Sequence, residues 1–371
     1  MERIIKTDPA VFAVGGDYQI MAATTRPSLF WVKVGDECYY DDSNGILRSA
    51  VGMHRVSLPR EALNEAKAYT VCVRAIIERK PYFTETEDVT EYAYTFRPVP
   101  EGGARCYQIA DAHNMIKEPV QAAEEFVKAH GAIDFLILNG DVPDHSGRLE
   151  NFDNIYEIVG QITHGEIPTV FSRGNHDTRG IYAENIADYT PCENGNSFFT
   201  FRLGDVWGIV LDCGEDKSDD HAEYGHTVCC HAFRLRETRF LEKVIANAKE
   251  EYAAPGVKHR IVVVHNPFTW VHHEPFDIEP ELYTKWLELL KTHVKPELML
   301  CGHLHTMKIG QPGDETDWLG HPCTVAVGSL PKKGENPSYA GMGAEFAADA
   351  DVVYFNNSKG EELETYTHKL S

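Results

Sequence analysis

Phe135-Leu136-Ile137-Leu138-Asn139-Gly140-Asp141 is an apolar run that stops abruptly on a polar cluster built around a glycine. Four other runs have the same form. Cys106–Ala110 leads to Asp111-Ala112-His113, and Thr169–Phe171 to Arg173-Gly174-Asn175-His176-Asp177. Ile261–Val264 ends at His265, and Leu298–Cys301 leads to Gly302-His303-Leu304-His305. Between these strand-like runs lie stretches with helical spacing at Pro119–Gly131, Asn151–Thr163, Arg234–Glu251 and Pro280–His293. Within Arg234–Glu251 the spacing puts Leu235, Phe240, Leu241, Val244 and Ile245 near one stripe, as in a helix that covers a sheet. The alternation predicts an α/β layered domain. In such sheets ligands bind outside the carboxyl ends of the strands. Five strands that each deliver polar groups to that edge therefore converge on one cleft. One antiparallel piece is expected, because Phe198–Arg202 and Val206–Leu211 flank a hairpin-like Leu203-Gly204-Asp205.

Residues 1–100 read differently. Period-2 or β-branched and aromatic runs at Val11–Val14, Tyr18–Ala22, Leu29–Val34, His54–Leu58, Tyr69–Ile77 and Tyr92–Arg97 are separated by turn residues. Short, regularly spaced strands predict a smaller all-β sandwich. The run from Leu63 through Tyr69 to Ala75 resembles the penultimate strand of fibronectin type III modules, with Tyr69 in the tyrosine-corner place. The Pro/Gly-rich segment Arg97–Gly103 forms a natural linker, so the expected division is 1–100 and 101–371.

The 371 residues are 43% hydrophobic and 25% charged, enough to bury a core without disulfides or structural metal. Of the net charge of −22, little lies in residues 1–100, where 12 Lys and Arg face 14 Asp and Glu. So acidic a body repels a polyphosphate chain, which argues against nucleic acid as a bulk partner and leaves small phosphorylated substrates open. Nine cysteines, an odd number without a C-x-x-C pair, read as reduced thiols, the vicinal Cys229-Cys230 included. No signal-like or membrane-spanning apolar stretch is seen, so a cytoplasmic protein without membrane partners is expected. The sequence does not fix an oligomeric state.

The five clusters contain seven donors of metal-ligating type: Asp111, His113, Asp141, Asn175, His265, His303 and His305. Oxygens mixed with imidazoles and no thiolate suit Mn, Fe or Zn. One tetrahedral ion needs about four ligands, so seven imply two divalent or trivalent transition-metal ions that share a carboxylate. Such a pair activates a bridging water and clamps the oxygens of an in-line displacement at phosphorus.

In order and without gaps, D-x-H, G-D, G-N-H-D, a lone H after a strand and G-H-x-H resemble the calcineurin-like metallophosphoesterases over roughly residues 104–330. The resemblance implies a layered metallophosphoesterase β-sandwich with flanking helices and a phosphatase or phosphodiesterase activity. It implies that Asp111, His113 and His305 hold one metal, that Asn175, His265 and His303 hold the other, and that Asp141 bridges. His176 then faces the substrate as a non-ligand and Asp177 orients it. Arg173 reads either as a surface residue or as a phosphate-binding fork, and the R-G-N-H of protein phosphatases favours the second. The front sandwich is similar in layout to that of purple acid phosphatases. The clusters depart from that subfamily, since Asp144 stands where its tyrosine would be and His113 is additional. A colourless enzyme is therefore implied.

Two polar loops are candidates for substrate selection: Asp212–His231, with His221, His226 and His231, and Asn266–Pro275, with Trp270, His272 and His273. Monoesters and diesters both remain open. The competing reading is a non-catalytic protein that uses its metals to bind a phosphorylated ligand, or its β-sandwich for adhesion.

Overall fold

A computed structural model describes residues 3–370. Two sheets lie face to face. In a ten-stranded sheet, Ala104–Ile109, Phe135–Asn139 and Thr169–Ser172 run parallel as neighbours. In a six-stranded sheet, Val206–Leu211, His259–Val264, Leu298–Cys301 and Thr324–Gly328 do the same. The expected hairpin is present, with Phe199–Leu203 turning through Gly204 and Asp205 into Val206–Leu211.

The apolar runs are strands because both of their faces are covered. Successive side chains of a strand point to opposite sides. In His259–Val264, Ile261 and Val263 accordingly join the core between the sheets. Val262 and Val264 instead pack with Leu241, Val244, Trp286 and Leu287 of the helices Cys230–Ala246 and Pro280–Leu289. Each fully buried aliphatic side chain contributes roughly 1.5–3 kcal/mol. On the far side of the ten-stranded sheet, the helix Lys117–His130 buries Val120, Ala123 and Phe126, and the helix Asp153–Thr163 buries Ile155, Ile158 and Val159. The result is helices, sheet, sheet, helices.

One helical stripe differs from the expected one. Leu235 is 42% exposed, whereas Arg234 and Glu237 are buried. The helix starts at Cys230, and its inner face holds the loop that follows Leu211. Arg234 donates to the carbonyls of Cys213 and Glu215, and Glu237 accepts from the Asp212 amide. Polar residues take the inner face because that loop carries otherwise unsatisfied backbone groups.

The front region forms two β layers. One is a sheet ordered Thr90–Thr95, Ala68–Arg79, Ser28–Val34, Glu37–Tyr40. The other consists of Ala10–Val14, Asp17–Ala23 and Met53–Pro59, paired antiparallel. This second layer is continuous with the ten-stranded sheet, since Ala10–Val14 lies parallel to Thr169–Ser172 with Phe12 opposite Thr169. Phe30, Val32, Val71 and Val73 of the front share one core cluster with Ile137 and Val170 of the rear. The Tyr69 hydroxyl donates to the Gly165 carbonyl at 2.8 Å, so it ties the front sheet to the rear region instead of closing a corner within its own module. The linker is also pinned, with the Arg97 amide bonded to the Glu166 carbonyl and the Gly102 amide to Asp205. Among the described residues no helix is long and apolar enough to cross a membrane.

Candidate metal centre

The carboxyl ends of the five strands meet at one rim, where the backbone is contorted. Asp111, His113, Asp141, His303 and His305 all have positive φ, between 45° and 68°. For non-glycine residues this costs of order 1–3 kcal/mol each and persists only where the surroundings impose it. Here the loops impose it on one another. The Asp111 and His113 amides donate to the carbonyls of Gly140 and Asp141, and the Gly302 amide donates to that of His265. The loops approach so closely that a Cβ on Gly174 would lie 2.2 Å from Asp141 Oδ1, and one on Gly140 2.5 Å from His265 Nδ1.

All seven expected donors come together. His305 Nε2 is 3.3 Å and His113 Nε2 3.8 Å from Asp111 Oδ1, and the two imidazole nitrogens are 3.1 Å apart. His265 Nε2 lies 3.2 Å from Asp141 Oδ2 and 3.7 Å from Asp111 Oδ1. Asn175 Oδ1 is 3.0 Å from His303 Nδ1 and also faces Asp141 Oδ2 at 3.3 Å. Two groupings with ligand spacing result, Asp111/His113/His305 and Asp141/His265/His303, and Asp141 also groups with His113 and His176.

The donor set fits cations. Asp111 Oδ1 and His265 Nε2 are buried without a hydrogen-bond partner, and the Asn175 oxygen faces only acceptors. Acceptors crowded against acceptors need positive charge between them. Partners behind the rim fix their orientation. His265 Nδ1–H donates to the Asn139 carbonyl at 2.6 Å, which aims Nε2 into the cleft. Asp111 Oδ2 accepts from the His303 amide at 2.8 Å and from the Ser329 hydroxyl.

Charge responds accordingly. Burial pushes the His265 imidazole toward neutrality, but Asp141 and Asp111 overcome this and raise its pKa to about 10. A proton there stands in for a cation. Burial likewise opposes ionisation of Asp111 and Asp141, yet the charge of His265 holds both below the usual carboxylate range. His113 and His303 are lowered by burial to about 4, which keeps them neutral and able to ligate.

The residues expected around the ligands are placed differently. His176 is at the cleft, 4.7 Å ring to ring from His113, and its Nδ1–H donates to the Asp144 carbonyl at 2.9 Å. Its orienting partner is therefore that carbonyl. The Asp177 carboxylate instead accepts from the amides of Gly174, at 2.7 Å, and Asp141, at 3.2 Å, and ties two loops together. Burial and the nearby Asp141 raise its pKa to about 7. Arg173 is not a phosphate fork in this geometry. Its Nε lies 2.7 Å from the buried Asp212 carboxylate, and its guanidinium stacks over Phe233. The guanidinium nearest His176 is that of Arg179, whose Nη1 is 3.5 Å from His176 Nε2 and which pairs with Glu215, Asp216 and Glu223. Sequence reasoning passed over it, although its place three residues beyond His176 on the same short turn was a usable signal.

Of the two polar loops, the first reaches the cleft through Glu215 and Asp216, with Asp216 Oδ2 3.8 Å from His303 Nε2. Its histidines turn elsewhere, His231 to Glu279 and His221 to the Glu223 amide. In the second loop His272 meets the Pro267 carbonyl, and Trp270 packs on His321. Beside the metal cluster a cavity of about 390 Å³ is lined by His113, Asp144, His176, His305, Pro331 and Lys333.

The family model for calcineurin-like phosphoesterases matches residues 104–307. Among solved structures, a purple acid phosphatase, PPD1 from yellow lupin (Lupinus luteus) seeds, is similar with a TM-score of 0.62 at 12% identity. That match covers 99% of this chain and 75% of the lupin chain, a likeness of fold that includes the front β region. GAP50, the anchor in the inner membrane complex of Plasmodium, gives a TM-score of 0.48 at 17% identity, covering 73% of this chain and 90% of that one. No curated protein matches by sequence.

Proposed function

Because the chain belongs to the calcineurin-like phosphoesterase family, we propose that it hydrolyses small phosphoesters with two metal ions held at the strand ends. Asp111, His113 and His305 would hold one ion and Asn175, His265 and His303 the other, with Asp141 between them. Bound there, the pair would supply Lewis acidity toward a phosphoryl group and activate water near neutral pH. Oxygen and imidazole donors without thiolate support Mn, Fe or Zn.

The protein's own groups do the rest. His176 is held through Nδ1–H by the Asp144 carbonyl, which leaves Nε2 facing the cleft, where the doubly protonated ring would donate a proton to the departing alkoxide. The Asn139 carbonyl and Ser329 keep His265 and Asp111 aimed at the cleft. Nine free thiols, six of them buried, support a reducing, cytoplasmic setting.

The observation that carries this reading is the crowd of acceptors at Asp111, Asn175 and His265, gathered around the Asp141 carboxylate without partners of their own. Metal content, measured together with hydrolysis of an aryl phosphate monoester and diester after Mn, Fe or Zn reconstitution, tests it. Two bound metals with metal-dependent turnover are expected. Bound metal without turnover on either ester would leave a phospho-ligand binding protein, and a protein that takes up no metal would remove the reading altogether.

A further inference from the structure

Large apolar side chains at the surface are not spread evenly over this molecule. Twelve are exposed among the described residues, and five of them, Tyr40, Ile46, Ile77, Tyr82 and Phe83, fall within residues 40–83. Such residues scattered singly need no explanation, whereas a group of them marks a contact surface. The strand Ala68–Arg79 turns back into Thr84–Thr86 through a tip closed by the Lys80 amide, which donates to the Phe83 carbonyl at 2.7 Å. On that tip, after Pro81, Tyr82 is 91% exposed and Phe83 79%. A groove of about 590 Å³ adjoins it, with Trp31, Tyr40, Ile46, Arg74 and Arg79 in its lining. No acidic residue among the described ones lines this groove. Ile76 and Arg79 stand opposite Thr86 and Thr84 in the lining, whereas Glu78 and Glu85 pair between them and face the other side of the sheet. Glu78 takes Lys80 as its ion-pair partner at 2.9 Å, and Arg79 bonds the neutral Ser49 hydroxyl, so the positive charge of the groove is not cancelled.

We propose that this tip and groove dock the protein on an anionic membrane surface, with the Tyr82 and Phe83 rings entering the headgroup layer and Arg74 and Arg79 meeting lipid headgroup anions. Charge selects this occupant. Residues 1–100 carry 12 Lys and Arg against 14 Asp and Glu, so nearly all of the net charge of −22 lies in the rest of the chain, which a negative surface repels. Salt confines that repulsion to about 8 Å under physiological conditions, so a projecting tip makes contact before the acidic body is felt. Shape selects it too. The most exposed rings stand on a turn, where a soft interface closes around them, and the apolar ring and polar hydroxyl of a tyrosine match the two sides of that interface. The sequence-based expectation of no membrane partner rested on the lack of a spanning stretch, and a surface contact needs none.

The test sediments the full chain with vesicles of phosphatidylcholine alone and of phosphatidylcholine with about one third phosphatidylserine. Wild type should bind the anionic vesicles, come off as salt is raised, and stay in solution with the neutral ones. Y82A/F83A should bind the anionic vesicles roughly tenfold more weakly or worse, the factor for one such ring withdrawn from water. R74Q should lose about fivefold, the share of one basic residue near such a surface. Both variants keep the wild-type melting temperature, because the substituted groups lie at the surface. The measurement needs no turnover, so its outcome is separate from that of the phosphoesterase reading. Wild type that binds neither kind of vesicle overturns the proposal and leaves the tip as a contact for another protein. Equal binding to both kinds, or unchanged binding in Y82A/F83A, overturns it as well.

Discussion

At the residue scale, the candidate ligands could be proposed from the sequence because metal chemistry restricts them to a few residue types at fixed places after strands. Their neighbours were not, because what a side chain touches depends on loops far away in sequence. Arg173 beside Gly174 suggested a phosphate fork, yet Asp212, 39 positions on, claims it in a buried pair. His176 keeps its expected place facing the cavity but takes its orientation from a carbonyl that no sequence motif encodes. Its side chain makes no hydrogen bond to a carboxylate, and the contact to Asp141 Oδ1, at 2.8 Å, comes from its backbone amide, which alanine keeps, so His176→Ala should leave both metals bound. The turnover number should fall about 10²- to 10⁴-fold, the usual contribution of a positioned proton donor. Stopped assays with metal analysis on the same sample check this, and an unchanged rate removes His176 from the mechanism. Glu237 offers a test away from the cleft. Its buried carboxyl is raised well above the ordinary 4.5, by burial first and then by Asp212, and Oε2 has no partner. Above pH 4.5 the unfolded chain releases this proton while the folded chain keeps it, so the group's contribution to stability declines as pH rises through that window. Glu237→Gln stays neutral and keeps an oxygen for the Asp212 amide. The variant's melting temperature should therefore gain on the wild type's as pH is raised from 5 to 8, and parallel pH curves would show that Glu237 ionises freely.

At the element scale, the strands were the clearest part of the sequence. A strand covered on both faces must be apolar at every position, and the run ends where the chain leaves cover. The helix Cys230–Ala246 was harder, since half of its inner face is polar and its partners are the backbone groups of a loop. The loop after Thr169–Ser172 shows what holds the rim together. Gly174 lies against Asp141 so closely that a methyl group would stand 2.2 Å from Oδ1 and 2.6 Å from the Asp141 amide. Gly174 does not have positive φ, so the backbone itself tolerates alanine and the effect of Gly174→Ala is purely steric. Overpacking of this kind costs typically 1–3 kcal/mol. The displaced loops carry Asp141 and Asn175, so the variant should stay folded, melt at a lower temperature and lose most of its metal. Full metal loading in this variant would mean that the two loops are free to separate without disturbing the ligands.

At the scale of the whole molecule, the front and rear regions differ in sequence character, yet one sheet passes through both. The joint is the parallel pairing of Ala10–Val14 with Thr169–Ser172, a register that no local pattern announces because its partners are more than 150 residues apart. It matters for the site, since Thr169–Ser172 carries the loop with Asn175 and His176 at its end. We propose that residues 1–100 and 101–371, although distinct in pattern, fold as one cooperative unit. Removal of residues 1–100 would leave Thr169–Ser172 as an edge strand with unpaired backbone groups, a template for aggregation. It would also strip apolar partners such as Phe12 from Phe171 and Tyr156, and the Tyr69 and Arg97 anchors from Gly165 and Glu166. Losing several buried aromatic and aliphatic contacts at about 1.5–3 kcal/mol each is comparable with the roughly 5–15 kcal/mol by which a domain is ordinarily stable. The fragment 101–371 should therefore aggregate or lack a cooperative melting transition, and it should take up no metal, while the intact chain melts in a single transition. A fragment that melts sharply and binds two metals would show that the rear layers close without the shared sheet, with the front region then an independent attachment.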